Sequence, residues 1–81
     1  MGKKVGVVTH YYSNIGVGTV KLSKKIEVGD TLHFIGNTTD FEQKVDQMQF
    51  EHKDVESAKS GQEIGIKVSE KVRDGDEVEL V

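Results

Sequence analysis

The chain contains no cysteine. Neither disulfides nor thiolate metal sites can therefore supplement its core, and sulfur chemistry is confined to Met1 and Met48. It also lacks any long apolar run, which excludes a transmembrane helix, and the Lys3-Lys4 start lacks the apolar stretch of a secretory signal. No membrane association and a cytoplasmic location are the resulting expectations. There is no glycine-rich loop ending in Lys-Ser or Lys-Thr, so a complete GTPase or kinase is excluded. Helical signals are nearly absent as well: no stretch repeats apolar residues at three-to-four spacing, and the 9 glycines fall where helices would need continuity.

What remains is 81 residues and 9.0 kDa, the size of one domain over residues 1–81, with 35% hydrophobic against 31% charged residues. That core is thin, yet too apolar for a disordered tail. The net charge of -3 hides an asymmetry: Lys3, Lys4, Lys21, Lys24 and Lys25 carry the only charges through residue 25, and all 14 acidic residues follow them. A basic segment of this kind serves either as a polyanion footprint or as a solubilising fringe that discourages strand-edge pairing.

Short runs rich in Val, Ile, Thr, Tyr and Phe, separated by turn residues, indicate an all-β protein. Val5 to Tyr12 reverses at Ser13-Asn14 and returns as Ile15 to Leu22, where Gly16 and Gly18 leave a thin face fit for a tight barrel corner. Thr31 to Gly36 points Leu32 and Phe34 to one side. Phe41 to His52 reads as one long strand whose apolar residues change parity, Phe41 and Val45 odd but Met48 and Phe50 even, which a β-bulge near Asp46-Gln47 would repair. Val55 to Ser60 reads as a loop or single helical turn that pins Val55 and Ala58 inward, and Glu63 to Val68 and Glu77 to Val81 alternate again. The expected total is six strands.

An internal repeat punctuates them. Lys25-Ile26-Glu27-Val28-Gly29-Asp30-Thr31-Leu32 matches Lys71-Val72-Arg73-Asp74-Gly75-Asp76-Glu77-Val78 in residue type at most positions, and Gly61-Gln62-Glu63-Ile64 is a looser third copy. Each glycine can take the positive φ of a tight turn, and the residue after it can bond back to the turn's own backbone. A calcium site at Asp30, Asp74 and Asp76 lacks the close spacing of oxygen ligands that such a loop needs.

The ordered series Val28-Gly29-Asp30-Thr31-Leu32, then Met48-Gln49-Phe50-Glu51-His52-Lys53, then Val55 through Ala58 and Gly61 to Ile66, resembles the second domain of translational GTPases such as elongation factor Tu. The resemblance runs from about Val5 to Val81 and implies a closed six-stranded β-barrel of the translation-protein type. It is similar also to the barrel appended to collagenase-like peptidases, some relatives of which take part in RNA hydroxylation. The family's Gly-Arg-Gly-Thr turn corresponds to Asn14-Ile15-Gly16-Val17, where the arginine is missing, so the aminoacyl-tRNA pocket does not carry over. Without a GTPase domain, GTP binding does not carry over either.

His10, His33 and His52 fall on three separate strands and give no metal motif, and no serine is placed beside a histidine for acyl transfer. The expectation is a non-enzyme without cofactor or metal. The hairpin His10-Tyr11-Tyr12-Ser13-Asn14 is the best local candidate for a site, because adjacent tyrosines point to opposite faces and the exposed one could stack a base while Lys3, Lys4, Lys21, Lys24 and Lys25 bind phosphates. Two functions follow. The first is a translation-factor-like barrel binding tRNA, rRNA or a ribonucleoprotein in translation or RNA modification. The alternative is a protein interaction module that docks onto a separately encoded enzyme such as a collagenase-like peptidase relative.

Overall fold

The computed structural model describes residues 2–81. Ten strands follow in chain order: β1 Lys3–Tyr12, β2 Val17–Leu22, β3 Ile26–Glu27, β4 Thr31–Ile35, β5 Asp40–Lys44, β6 Met48–Phe50, β7 Lys53–Val55, β8 Ser57–Ala58, β9 Glu63–Lys67 and β10 Glu77–Leu80. None of the described residues is helical. Five of the six expected strands are present, the sixth, Phe41 to His52, is broken into β5 and β6, and the additional strands are short. Ile26–Glu27 and Ser57–Ala58 form a two-residue ribbon too brief to show a period, and Val55 to Ser60 is the end of β7 and β8 rather than a helical turn.

The three copies of the repeat share one turn. Gly29, Gly61 and Gly75 have φ of 99°, 90° and 88°. Asp30 Oδ2 accepts the Glu27 N–H at 2.8 Å, Asp76 Oδ2 the Arg73 N–H at 2.8 Å, and Gln62 Oε1 the Lys59 N–H at 2.8 Å. In each turn the backbone N–H of that same residue donates back to the carbonyl three positions earlier. These are type II turns locked by a side-chain return bond, and they launch β4, β9 and β10.

Eight strands form one antiparallel sheet in the order β5-β4-β10-β1-β2-β9-β6-β7. Alternation sends one face of each strand inward, so Leu22, Gly6, Val78, Phe34 and Phe41 follow one another across five strands. Phe34 and Phe41 stack with centroids 5.0 Å apart. Two bulges bend β1, between Lys4 and Gly6 and between Val8 and His10. Gly6 is needed at the first, since a Cβ there would lie 2.7 Å from the Lys21 carbonyl oxygen.

The expected closed six-stranded barrel is corrected by the pairing: the sheet is a curled half-barrel whose end strands do not hydrogen-bond to each other. The same geometry explains the parity change. Phe41 to His52 is not one bulged strand; β5 and β6 lie toward opposite ends of the sheet, joined by only Val45, Asp46 and Gln47. Four peptide steps reach at most about 14 Å, so the sheet must curl to let them connect. Val45 is fully buried in that crossing, its N–H donating to the Asp30 carbonyl at 2.8 Å and its carbonyl accepting the Gly29 N–H at 2.9 Å. Across the open seam, the Gln43 side chain substitutes for a ladder: Nε2 donates to the Lys67 carbonyl at 2.7 Å and Oε1 accepts the Ser69 N–H at 2.7 Å.

Replacing Gln43 by Ala should therefore destabilise the fold by about 1–2 kcal/mol, the worth of two such bonds. Urea unfolding measures this. A change within about 0.5 kcal/mol, the range of an ordinary surface substitution, would show that the seam does not depend on Gln43.

Candidate functional site

The β1–β2 hairpin ends in Ser13–Gly16, with Gly16 at φ 66° and its N–H on the Tyr12 carbonyl at 2.9 Å. Lys67 Nζ donates to the Ile15 carbonyl at 2.9 Å and the Val68 N–H to that of Gly16 at 2.9 Å, which pins the tip to the end of β9. The tyrosines divide as expected. Tyr11 pairs with Gly18 and packs against the core, while Tyr12 is 45% exposed and its ring lies 4.4 Å from that of His10, centroid to centroid. The thin face at Gly18 is filled from within the protein, because Val72 Cγ2 sits 3.0 Å from where a Cβ would be.

The lysines do not join this hairpin tip. Lys3 and Lys4 open β1, Lys21 is near the end of β2, and Lys24 and Lys25 follow it, so all five lie at the base. Eight residues of strand separate Lys4 from Tyr12, about 26 Å at the usual rise. Two of the lysines are also engaged with acids, Lys4 with Glu77 at 3.8 Å and Lys25 with Glu27 at 3.4 Å. His10, His33 and His52 remain on separate segments, and His33 bonds Asp40 at 2.6 Å. Among the described residues no group of three His, Asp or Glu side chains is arranged to hold a metal ion.

The surface instead offers a groove across the outer face of β2, β9 and β6, with a volume of about 550 Å³. Outward positions of β9 are Glu63, Gly65 and Lys67; Gly65 pairs with Thr19 on one side and Gln49 on the other, so its missing side chain makes the floor. Val17 and Ile15 continue the floor toward Tyr12, and Glu51, His52 and Glu63 stand on the rim. Glu63 is held in place: the Thr9 hydroxyl donates to Oε2 at 2.5 Å and in turn receives the Thr19 hydroxyl at 2.7 Å. This site was not visible in the sequence, where its residues lie in three separate segments.

One rim element is strained. Phe50 pairs with Lys53, so β6 and β7 are joined by the two residues Glu51 and His52, whose φ values are 53° and 66°. That is the type I′ geometry that Asn-Gly adopts readily and that costs a residue bearing a larger side chain about 1 kcal/mol or more. On the strand side of this hairpin, Asp54 Oδ1 accepts Gln49 Nε2 at 3.1 Å and Gln47 Nε2 at 3.2 Å. The bond from Gln49 first, and then that from Gln47, holds the Asp54 carboxyl below its ordinary range, outweighing a small opposing effect of desolvation.

Comparison with known proteins places this architecture. The fold is a small all-β domain with an open groove on one face. The profile of the Peptidase family U32 C-terminal domain matches residues 3–80, and the chain belongs to that family. It is 40% identical over 79 residues to an uncharacterised protease of Methanocaldococcus jannaschii, covering 96% of this chain and 19% of that protein. It is 38% identical over 76 residues to a collagenase of Porphyromonas gingivalis, covering 91% of this chain and 21% of the collagenase. The chain thus spans about a fifth of the length of these relatives. Two crystal structures of the C-terminal domain of a Geobacillus thermoleovorans protein assigned to the U32 peptidases share the fold, with TM-scores of 0.90 and 0.91 at 21% identity. They cover 95% and 98% of this chain, which covers 98% and 92% of theirs.

The family corrects the resemblance to elongation factors, and with it the expected roles in translation, protein biosynthesis and RNA binding. The physical reason lies in the motifs that carried it. Val28-Gly29-Asp30 and its copies encode a locked type II turn, and that turn geometry is available to any small β fold irrespective of lineage. The collagenase-like side of the resemblance is the one supported.

Two outcomes are expected from the turn and its carboxylate. Replacing Glu51-His52 with Asn-Gly should raise stability to urea by about 1–2 kcal/mol through relief of the positive-φ cost; no gain would remove the case for strain. In a carboxyl NMR titration Asp54 should titrate below the ordinary aspartate range, and Gln49→Leu should move it upward. Because the folded-state value is the depressed one, this bond contributes stability above the unfolded-state pKa and loses it as pH falls through the folded-state value.

Proposed function

We propose that the chain is a non-catalytic docking module that works with a U32-type peptidase region. The observation that carries this is the match of residues 3–80 to the C-terminal domain of that family, in relatives of which the chain spans only about a fifth. The remainder of those relatives is where a reaction centre would lie. The chemistry of the chain is consistent: its titratable side chains are spread over exposed strand positions, and the groove has carboxylates on its rim and a glycine floor, an arrangement that binds a surface more readily than it transfers protons.

Mixing the purified chain with a full-length U32 peptidase-type protein of the same organism tests the proposal by analytical ultracentrifugation and titration calorimetry. A complex of defined stoichiometry with micromolar or tighter affinity is expected. Independent sedimentation of the two at tens of micromolar would overturn it.

A further inference from the structure

The groove across β2, β9 and β6 has a chemistry of its own, and the docking function proposed above is the premise on which its assignment rests. We propose that it receives an extended polypeptide segment of the peptidase region that lays an aliphatic side chain over Gly65 and places an arginine or lysine against Glu51 and Glu63.

The floor selects the aliphatic side chain. On β9 the outward row would carry a side chain at Gly65, and a Cβ there would lie 3.3 Å from Val17 Cγ1, so the depression is glycine-dependent. Val17 and Thr19 border it on β2, and Ile15, 54% exposed, extends the apolar wall to Tyr12. Of the large hydrophobic side chains left exposed on the described surface, Tyr12 and Ile15 both border this groove, while Val28 and Val81 do not. Such an open depression suits one side chain of a strand lying across it rather than an enclosed small molecule, which is buried over most of its surface.

The rim selects the cation. Glu51 and Glu63 both line the groove, and the ion pairs of the described residues involve other carboxylates, those of Glu77, Glu27 and Asp40. The positive groups at this face are Lys21, which stands opposite Glu63 in the β2–β9 ladder without an ion pair to it among the described residues, His52 on the turn, and Lys67, whose Nζ in the adjoining part of the groove is already bonded to the Ile15 carbonyl; Asp54, opposite Gln49, adds a third carboxylate. A phosphate-bearing ligand would meet two carboxylates, whereas a guanidinium or ammonium meets complementary charge. The Thr19 to Thr9 to Glu63 chain of hydroxyls fixes one carboxylate in advance, which lowers the cost of ordering it on binding.

The test uses the whole chain, labelled with ¹⁵N, titrated with a short capped peptide of alternating leucine and arginine and, separately, with its leucine–glutamate counterpart. The expected result is amide shifts centred on Val17, Thr19, Gln49 and Gly65, and affinity for the arginine peptide about tenfold above that for the glutamate peptide at low salt. Glu51→Lys, on an exposed turn, should erase that preference while the inner-strand resonances stay in place; Gly65→Val should abolish the shifts altogether. Shifts centred elsewhere, equal affinity for the two peptides, or no saturation at millimolar peptide would each overturn the proposal. Its fate is separable from that of the docking function. If the chain binds the U32 protein and Glu51→Lys leaves that affinity unchanged, the groove assignment fails and docking stands; if the arginine peptide maps to the groove but no U32 protein binds, docking fails and the peptidase region is overturned as the source of the segment, while the preference of the groove for an apolar, cationic chain stands.

Discussion

Each long excursion of this chain is brought back into the sheet by the same device, a type II turn whose last residue returns a side-chain oxygen to the turn's first N–H. Glu27 to Asp30 launches β4, Lys59 to Gln62 launches β9, and Arg73 to Asp76 launches β10. The copy that ends at Asp76 is the most constrained. Asp76 is buried, its backbone N–H bonds Arg73, its carbonyl accepts the Val8 N–H at 2.8 Å, and its carboxyl fills the space beside Gly36 so closely that a Cβ there would overlap it. One residue thereby ties the start of β10 to the bulge of β1 and to the end of β4. A small core that has no disulfide to limit its unfolded state needs such local locks, because packing alone leaves a domain of this size with little margin.

The locks set strand starts, but the curl follows from a short connection. Val45 to Gln47 must carry the chain from β5 to β6, across the open side of an eight-stranded sheet. A flat sheet of that width would hold those strands far beyond the reach of three residues, so the sheet rolls until they meet. It stops short of closing because what faces the seam is a glutamine side chain and not a ladder. The roll has a consequence for function: the outer face of β2, β9 and β6 is left uncovered, with Gly65 in its middle row.

How much of this the sequence disclosed depends on the range over which each feature is encoded. The division of Tyr11 and Tyr12 between core and solvent follows from a period of two and is local. The repeat at Gly29, Gly61 and Gly75 was legible for the same reason, since turn and return bond lie within four residues. The parity change at Val45 to Met48 was visible, but a bulge and a change of strand produce the same pattern, and only the non-local pairing separates them. The groove was illegible. Its floor is an absence of side chain, its walls come from distant segments, and its rim turn has Glu51-His52 in place of the Asn-Gly that would have announced a type I′ hairpin.

The charge asymmetry shows the same limit from another side. Five lysines and a pair of tyrosines in the first 25 residues suggest a polyanion site only if they share a face, and β1, ten residues long, places them at opposite ends of a hairpin. Lysines at the base then do what isolated surface cations do: Lys4 and Lys25 meet neighbouring acids and contribute little individually. The exposed aromatic at the tip instead shares its groove with Ile15, Val17 and the carboxylates of Glu51 and Glu63, and the lysine in its row, Lys67, is already bonded to the Ile15 carbonyl. An exposed tyrosine takes its meaning from the sign of the charge around it. With the five lysines of the first 25 residues beside it, Tyr12 would be a platform for a nucleobase; with glutamates, a glycine floor and a lysine held by backbone, it is one wall of a site for an apolar, cationic chain.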